Sequence, residues 1–446
     1  MQNQLDKDYT AWGLFRYTLP SILSLLCMSL YQMVDAIFVS NFVSENALAS
    51  INIVYPVFSI VLAITLMFST GGSAIVARKL GEGKPQDARE DFTTLIITIA
   101  ALSAVITLLT ILFMEPLLKF MGATPALWAD CRAYLDILIL FMPAAALQAA
   151  FSTFFVTAGK PDLAFILTIL SGVTNIALDY LLIVQIPLGI SGAAWGTAIG
   201  YLVGAVPALL YFGLQRKGTL YLVRPVVRFK MLGFACFNGS SEMVSNLSIA
   251  VTTLLFNKLA LYYMGEGGVA AITVVLYAQF FLTSVFMGFI GGAAPIFSFN
   301  LGSGNANRLA ALFRYSCGTV ILLTVIVIIG AYALAKPIVA VYIRPSSELF
   351  PLALHGFLLF SIGYLFAGVN IYASGLFTAL QNGKISAIIS GLRTFVFLVL
   401  SLLLLPLIIK ADGIWLAVPL AEFLSFLVAI GCIIKYRKEY YFTLKR

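Results

Sequence analysis

Long apolar runs alternate with short polar segments along the whole chain. Each run is at least about as long as the roughly 20 residues that a helix needs to cross a bilayer. The runs do not have the short, ten-residue alternation that is typical of transmembrane β-barrels. We therefore expect an all-α polytopic membrane protein with about 12 transmembrane helices. The predicted spans are residues 17–40, 50–77, 92–114, 131–158, 162–184, 190–214, 231–264, 268–297, 310–334, 350–380, 384–408 and 412–435.

Composition and charge agree with this pattern. Of the 446 residues, 61% are hydrophobic and only 10% are charged, and the mean hydropathy is +1.01. The net charge is +8, but most of the 27 Lys and Arg residues fall in alternate loops instead of forming a nucleic-acid footprint. This distribution predicts a multi-pass protein of the cell (inner) membrane with both termini in the cytoplasm and no nucleic-acid partner. No cleavable signal peptide is expected, because the first apolar run continues through span length.

Three short motifs recur in the same order in the two halves of the chain, at offsets of about 221 to 224 residues. Both halves hold six predicted spans and begin on the same side, so we expect two pseudo-symmetric six-helix lobes with substrate at their interface. The paired segments are 80–84 with 301–305, 157–160 with 380–384, and 192–195 with 413–416. The predicted domains are an N-lobe (1–214), a cytoplasmic inter-lobe loop (215–230), a C-lobe (231–435) and a basic cytoplasmic tail (436–446).

The sequence lacks the motifs of an enzyme. It has no phosphate-binding G-x-x-x-x-G-K-[ST] loop and no G-x-S-x-G nucleophile motif. The one histidine, His355, excludes His-cluster metal sites, and we expect it to be hydrogen-bonded in a structural role. The five cysteines have no ligand spacing and are interpreted as apolar residues, not disulfides. We predict a transporter driven by an ion gradient, with no catalytic residues and no cofactor apart from the coupling ion.

Two acids lie deep within predicted spans, Asp35 in the first and Asp179 in the fifth, each about five residues from the outer end. An ionisable side chain in hydrocarbon is a functional hypothesis by default. Asn175 shares a helix face with Asp179, and Thr197 enters the sixth span at a similar depth. These oxygens suit Na⁺, and the carboxylates suit H⁺ equally well. The alternative is that both acids are hydrogen-bonded locally and only stiffen the bundle.

The second half carries its own charged residues within spans. Arg393 and Glu422 are at depths that differ by roughly 6 Å along their helices, so we predict a structural ion pair, with a substrate role as the alternative. Glu242 follows a polar patch and is a C-lobe cavity candidate, for substrate contact or for structural hydrogen bonding. Asp136 is expected to be solvated. Aromatic residues that could stack on a flat amphipathic cation, or simply pack against helices, include Tyr277, Phe280, Phe281 and Phe286.

Several of these segments together resemble the multidrug and toxic compound extrusion (MATE) family across nearly the whole chain. They are Leu19-Pro20, 33–39 (MVDAIFV), 175–179 (NIALD), 192–197 (GAAWGT) and 295–302 (PIFSFNLG). The resemblance implies that Asp35, Asn175, Asp179 and Thr197 form an N-lobe cation or proton site. It implies that Pro20 belongs to a bend of the first helix that accompanies protonation. The implied function is export of organic cations by Na⁺ or H⁺ antiport.

The chain departs from the MATE pattern at two places. It has no acid at 152–156 near the end of the fourth span, and the tenth span has only neutral residues such as Asn370 and Tyr372. Glu242 is therefore the main C-lobe candidate. One alternative is a flippase for lipid-linked sugars or other polar lipids of the same superfamily, which would favour basic residues in the cavity, where only Arg393 is found. A non-transporting scaffold is the other. The expected partners are a small organic substrate and membrane lipid, with the protein monomeric.

Overall fold

The computed structural model describes residues 4–442, with the backbone alone for residues 36, 37, 40, 45, 48 and 250. The described residues form helices and loops, with no β-strand among them. Four short irregular helical segments interrupt or precede the α-helices: 3₁₀ turns at Gln4–Asp6 and Ile139–Phe141, and π-helical turns at Tyr180–Gln185 and Leu392–Phe397. The α-helices are α1 (Ala11–Phe42), α2 (Glu45–Gly81), α3 (Pro85–Leu112), α4 (Met114–Phe120), α5 (Trp128–Leu138), α6 (Met142–Thr157), α7 (Pro161–Asp179), α8 (Ile190–Leu214), α9 (Phe229–Gly302), α10 (Ala306–Ala333), α11 (Ala335–Ala340), α12 (Leu349–Ser361), α13 (Tyr364–Ala379), α14 (Gly383–Gly391), α15 (Leu398–Ile409) and α16 (Ala411–Tyr436).

The helices account for all the predicted spans, with two changes of shape. In the described part of the chain, ten helical stretches are long and apolar enough to cross a membrane, or 11 when α12 and α13 are counted as one span bent by 51°. Helix α9 has 74 residues and would measure about 110 Å if straight, far more than a bilayer of about 30 Å. It breaks at Gly265, where φ is 69°, and so supplies two spans. The loop predicted between spans seven and eight is therefore a sharp kink.

The repeated L-G-x-G motif has a structural reason. Helix α2 ends at Gly81 and α9 ends at Gly302, and each is followed by a glycine in the left-handed conformation, Gly83 with φ 73° and Gly304 with φ 69°. Left-handed backbone is far more favourable for glycine than for residues with a Cβ atom. The same turn therefore leads into the third helix of each half, α3 and α10.

The two halves of the chain meet mainly where α1 and α2 pack against α9. The backbones approach closely at glycines: a Cβ on Gly71 would overlap the carbonyl oxygen of Ala235, and a Cβ on Gly302 would overlap that of Arg78. The Arg78 guanidinium donates to Oε1 of Gln381 at 2.6 Å. These contacts lie on the side that carries both ends of the described chain, which we call the terminal face.

The segment between the two halves does not hang free as a loop. It lies along α3, because the backbone N–H of Val223 donates to Oγ1 of Thr93 at 3.0 Å and Oγ1 of Thr94 donates to the carbonyl oxygen of Val226 at 3.1 Å. Arg89 stacks over the ring of Tyr221 at 4.2 Å. The polar, basic stretch that separates the halves in the sequence is thus packed onto the first half.

Candidate functional site

The structure brings Asp35 and Asp179 together. Asp35 lies on α1, and Asp179 is the last residue of α7, directly before the π-helical turn Tyr180–Gln185. Their carboxyl groups lie within hydrogen-bonding range of each other, and Asp179 is fully buried. π-helical turns occur frequently at functional sites. Two acids that are distant in sequence therefore form one carboxyl pair inside the first half of the molecule.

Several oxygen atoms at this pair have no hydrogen-bond donor. Both Oδ atoms of Asp179, Oδ1 of Asp35 and Oδ1 of Asn175 are buried, and none has a partner within the described part of the chain. A buried charge without a partner is strongly destabilising, and two close carboxylates repel each other. A shared proton or a small hard cation, for which these oxygens are suitable ligands, would offset this repulsion.

Thr197 and Asn175 lie beside the acids, as the sequence predicted. Nδ2 of Asn175 is 3.4 Å from Oγ1 of Thr197. Within the described residues, no group of three or more His, Cys, Asp or Glu side chains is placed to hold a metal ion. Any cation here would therefore be bound by two carboxylates together with amide and hydroxyl oxygens. Hard oxygen donors of this kind suit Na⁺.

Three tyrosines near the acid pair were missed from the sequence. Tyr31 and Tyr201 each lie close enough to Asp35 for electrostatic interaction. Tyr134 lies close enough to both acids for electrostatic interaction and is a neighbour of Thr197. Helical spacing was the available signal, because Tyr31 precedes Asp35 by four residues and Tyr201 follows Thr197 by four, which places each pair on one helix face.

Glycines allow α7 and α8 to pack closely around the acids. A Cβ on Gly196 of α8 would overlap Oδ1 of Asp179, and one on Gly172 of α7 would lie 2.8 Å from Cδ1 of Tyr31. Small residues let transmembrane helices approach closely. The motif at 192–197 thus contributes Thr197 to the site, and its Gly196 leaves room for the Asp179 carboxyl group.

The charged residues of the second half form a second cluster. Arg393 contacts Glu422 through Nε at 2.8 Å and Nη2 at 2.7 Å. Asn370, which the sequence marked only as a neutral replacement for an acid, donates to Oε2 of Glu422 at 2.6 Å. Glu242, which has no obvious partner in the sequence, lies close enough to Arg393 for their charges to interact.

The remaining candidates lie away from these clusters. Pro20 is inside α1, which is one continuous helix through that position. His355 is 2.9 Å from Oδ1 of Asp412, and Asp136 is half-exposed and 3.6 Å from Arg132. In the predicted aromatic set, Tyr277 stacks on Tyr342 at 6.0 Å. Phe280 is exposed, Phe281 is partly buried and Phe286 is buried in the core, so the four do not form one continuous surface.

Comparison with known protein families gives a match in both halves. The MatE family model matches residues 20–181 and again residues 242–403. The chain belongs to the MatE family. The two matched segments of this MatE protein start 222 residues apart, in agreement with the internal repeat. They include Pro20, Asp35, Asn175 and Asp179 in the first segment and Arg393 in the second, which begins at Glu242.

Individual relatives are distant but cover most of the chain. The MatE protein is 23% identical over 378 residues to the multidrug export protein MepA of Staphylococcus saprophyticus, covering 82% of each chain. It is 22% identical over 434 residues to MepA of Staphylococcus aureus, covering 95% of this chain and 94% of the relative.

Solved structures show the fold of this MatE protein. A structure described as a MATE protein in complex with MaL6 has a TM-score of 0.92 at 18% identity, covering 99% of this chain and 100% of that one. A multidrug resistance MATE family transporter of the MOP superfamily, in an outward-facing conformation, has a TM-score of 0.91 at 18% identity, with coverages of 98% and 99%. The all-α, two-lobed membrane fold predicted from the sequence is confirmed.

Proposed function

We propose that this MatE protein is a secondary active exporter that moves organic, cationic and amphipathic molecules out of the cell in exchange for Na⁺ or H⁺. The names of its relatives, multidrug export proteins, support export of small organic molecules. Alternating access of two lobes around a central site is the mechanism typical of such repeats. The terminal face is then the cytoplasmic face, in the cell membrane.

The observation that carries the proposal is the set of buried oxygens without donors at Asp35 and Asp179. One coupling ion, either Na⁺ or H⁺, would lower the charge of this pair from −2 to −1 and so relieve the repulsion between the two carboxylates. Asp35, Asp179, Asn175 and Thr197 would hold Na⁺, whereas a proton would be shared between the two carboxyl groups. Ion release would then leave two repelling carboxylates, a change that can favour another arrangement of α1 and α7.

Pro20 gives α1 a place to bend during that rearrangement. A proline inside a helix removes one backbone hydrogen bond and clashes with the preceding turn. Here the carbonyl oxygen of Pro20 accepts a hydrogen bond from Oγ of Ser24 at 2.8 Å. We propose that α1 bends at this point when the acid pair changes its charge.

Export of cations is favoured over flipping of an anionic lipid by the state of Arg393. The guanidinium is already bound to Glu422, and the neighbouring Glu242 adds a further negative charge. The second-half cluster therefore carries an excess of negative charge and attracts cations. We propose that Glu242 contacts the cationic substrate.

The test is transport by the purified full chain in vesicles, with Na⁺ and pH gradients imposed separately. Ethidium efflux should follow one gradient, and both Asp35→Asn and Asp179→Asn should reduce it to the background of empty vesicles. Asp136→Asn is the matched control, because Asp136 is half-exposed and pairs with Arg132 outside the site. Wild-type efflux that ignores both gradients, or variants that keep full coupling, would contradict the proposal.

A further inference from the structure

The cluster of Arg393, Glu422, Asn370 and Glu242 contains one guanidinium and two carboxylates inside the second half. Arg393 and Glu422 are 15% and 5% exposed, and Asn370 is fully buried. Buried ion pairs are weak evidence for a stabilising role, because desolvation offsets much of the attraction. Ionisable residues within membrane spans more often mark a substrate or ion pathway. The cluster therefore needs a functional explanation.

Glu422 is fully occupied by its neighbours. Its Oε1 accepts a hydrogen bond from Nε of Arg393 and lies 2.7 Å from Nη2. Its Oε2 accepts from Nδ2 of Asn370, which also donates to the Glu422 carbonyl oxygen at 2.8 Å. Both carboxylate oxygens thus have donors at hydrogen-bond distance. A mobile cation could reach Glu422 only after Arg393 had moved away.

Glu242 is in the opposite situation. It is partly exposed, and no side chain in the described part of the chain donates a hydrogen bond to its carboxylate. The turn that carries Arg393 packs against α9, the helix of Glu242, because Oγ1 of Thr394 donates to Oγ of Ser248 at 3.1 Å. Arg393 is the charged group that attracts Glu242 there. One positive charge is therefore shared by two carboxylates, and the excess negative charge of the cluster resides at Glu242.

Arg393 lies on a part of the backbone that can adjust. It belongs to the π-helical turn Leu392–Phe397, none of whose residues is buried. The equivalent helix of the first half also contains a π-helical turn, directly after Asp179. Such turns depart from regular α-helical hydrogen bonding and are frequent at functional sites. The long arginine side chain can then shift between neighbouring carboxylates without unfolding its helix.

We propose that Arg393 is a built-in cation that competes with the transported cation for Glu242, and so determines how tightly a cationic substrate binds. This inference rests on the proposed export of organic cations. When substrate is absent, Arg393 partly neutralises Glu242. When substrate binds at Glu242, Arg393 is held by Glu422, whose carboxylate Asn370 fixes in place, away from the incoming positive charge. Glu422 and Asn370 are positioning residues in this scheme.

The test is the equilibrium binding of tetraphenylphosphonium to the purified full chain. Arg393→Gln removes the competing charge and should tighten binding about tenfold, which corresponds to about 1.4 kcal/mol. Glu422→Gln releases Arg393 toward Glu242 and should weaken binding by a similar factor. Arg393→Lys keeps the charge and should bind nearly as the wild type does. A purely structural ion pair predicts instead that both removals act in the same direction.

Two further variants show whether Arg393 acts through Glu242. In a Glu242→Gln background, the additional Arg393→Gln change should leave the affinity unchanged. The double variant Arg393→Gln with Glu422→Gln removes both charges of the ion pair, so it avoids an unpaired buried carboxylate. It should bind more tightly than the wild type but no more tightly than Arg393→Gln, because it lacks both the competing guanidinium and the negative charge of Glu422.

The outcomes separate this inference from the proposed function. If the wild type binds and exports tetraphenylphosphonium but Arg393→Gln and Glu422→Gln shift its affinity in the same direction, the competition is wrong and the export function stands. If the wild type neither binds nor exports tetraphenylphosphonium, the proposed cation export fails and this inference fails with it.

Discussion

At the scale of single residues, Asp179 can occupy its position because Gly196 has no Cβ atom. Gly196 of α8 faces Asp179 so closely that a Cβ would overlap Oδ1. The neighbouring Asn175 and Thr197 contact each other across the same pair of helices. The position of the acid pair therefore depends on the close approach of α7 and α8.

We expect Gly196→Ala to displace the Asp179 carboxyl group and to lower ion-coupled export at least about tenfold, while the protein still folds. The measurement is ethidium efflux from vesicles under the driving gradient, with thermal unfolding followed in parallel. Gly330→Ala is the matched control, because a Cβ at Gly330 of α10 has no neighbour within 4 Å. Equal losses in both variants would show that the close approach at Gly196 is unimportant.

At the scale of elements, two ion-pair clusters lie on the terminal face. The third helix of a half contributes the arginine in one cluster and the acids in the other. Arg308 of α10 contacts Asp6 at 2.7 Å and Asp8 at 2.5 Å, just before α1 begins. Arg228, just before α9 begins, contacts Glu90 at 2.7 Å and Asp91 at 2.9 Å on α3. The third helix of each half is thus bound to the segment that leads into the first helix of the other half.

Reversing the charge of Arg308 should weaken closure of the terminal face. Exposed ion pairs contribute about 0.2–1 kcal/mol, so we expect Arg308→Glu to raise the labelling rate of a cysteine at Ala74 about threefold. The probe is a membrane-impermeant maleimide on an otherwise cysteine-free chain, with the terminal face accessible. Adding Asp6→Arg and Asp8→Arg should restore slow labelling. A triple variant that labels as fast as Arg308→Glu would contradict this role.

The crossing of α2 and α9 gives a second prediction at this scale. A Cβ on Gly239 would overlap the carbonyl oxygen of Met67, whereas a Cβ on Gly233, earlier in the same helix, meets nothing within 4 Å. Gly239→Ala should therefore separate the two helices and increase labelling at Ala74, and Gly233→Ala should not. Identical labelling of the two variants would mean that the helices have room to adjust.

At the scale of the whole molecule, the contacts between the halves are one-sided. In the described part of the chain, residues before 215 are joined to residues after 230 by a small set of hydrogen bonds and ion pairs. Cys236 contacts Met67, Gln381 contacts Ala74 and Arg78, and Arg308 contacts Asp6 and Asp8. All lie toward the terminal face. The structure therefore has the halves joined at that face and fewer restraints between them at the other.

Locking the terminal face should stop transport. In a cysteine-free chain, Arg78→Cys with Gln381→Cys replaces two long side chains whose tips are 2.6 Å apart, so the shorter thiols are joined by a bifunctional methanethiosulfonate reagent. We expect this cross-link to reduce efflux to background and a reductant, which cleaves its disulfides, to restore it, because alternating access requires these halves to separate. Each single cysteine variant is the control. Undiminished efflux after complete cross-linking would exclude opening at this face.

Much of the architecture follows from local properties of the sequence. A bilayer requires runs of about 20 apolar residues, so the spans can be counted without knowing their neighbours. The boundary between spans seven and eight was predicted at 265–267, but the expected loop is a kink at Gly265. The bend between α12 and α13 was not predicted, because the apolar run 350–380 continues through it. The coupling-site residues stay a prediction, although the structure places Asp35, Asn175, Asp179 and Thr197 side by side.

The sequence by itself determined the class of protein and the acids within spans, because a bilayer requires long apolar runs in which a charged residue stands out. It also determined the repeat, because the paired motifs recur in order along the chain. The tertiary structure decided which side chains meet: Asp35 with Asp179, the tyrosines around them, and Arg393 between Glu422 and Glu242. Helices that are apolar on every side carry no clear signal of how each is rotated about its axis. That rotation depends on packing between helices, and it decides which polar groups face one another.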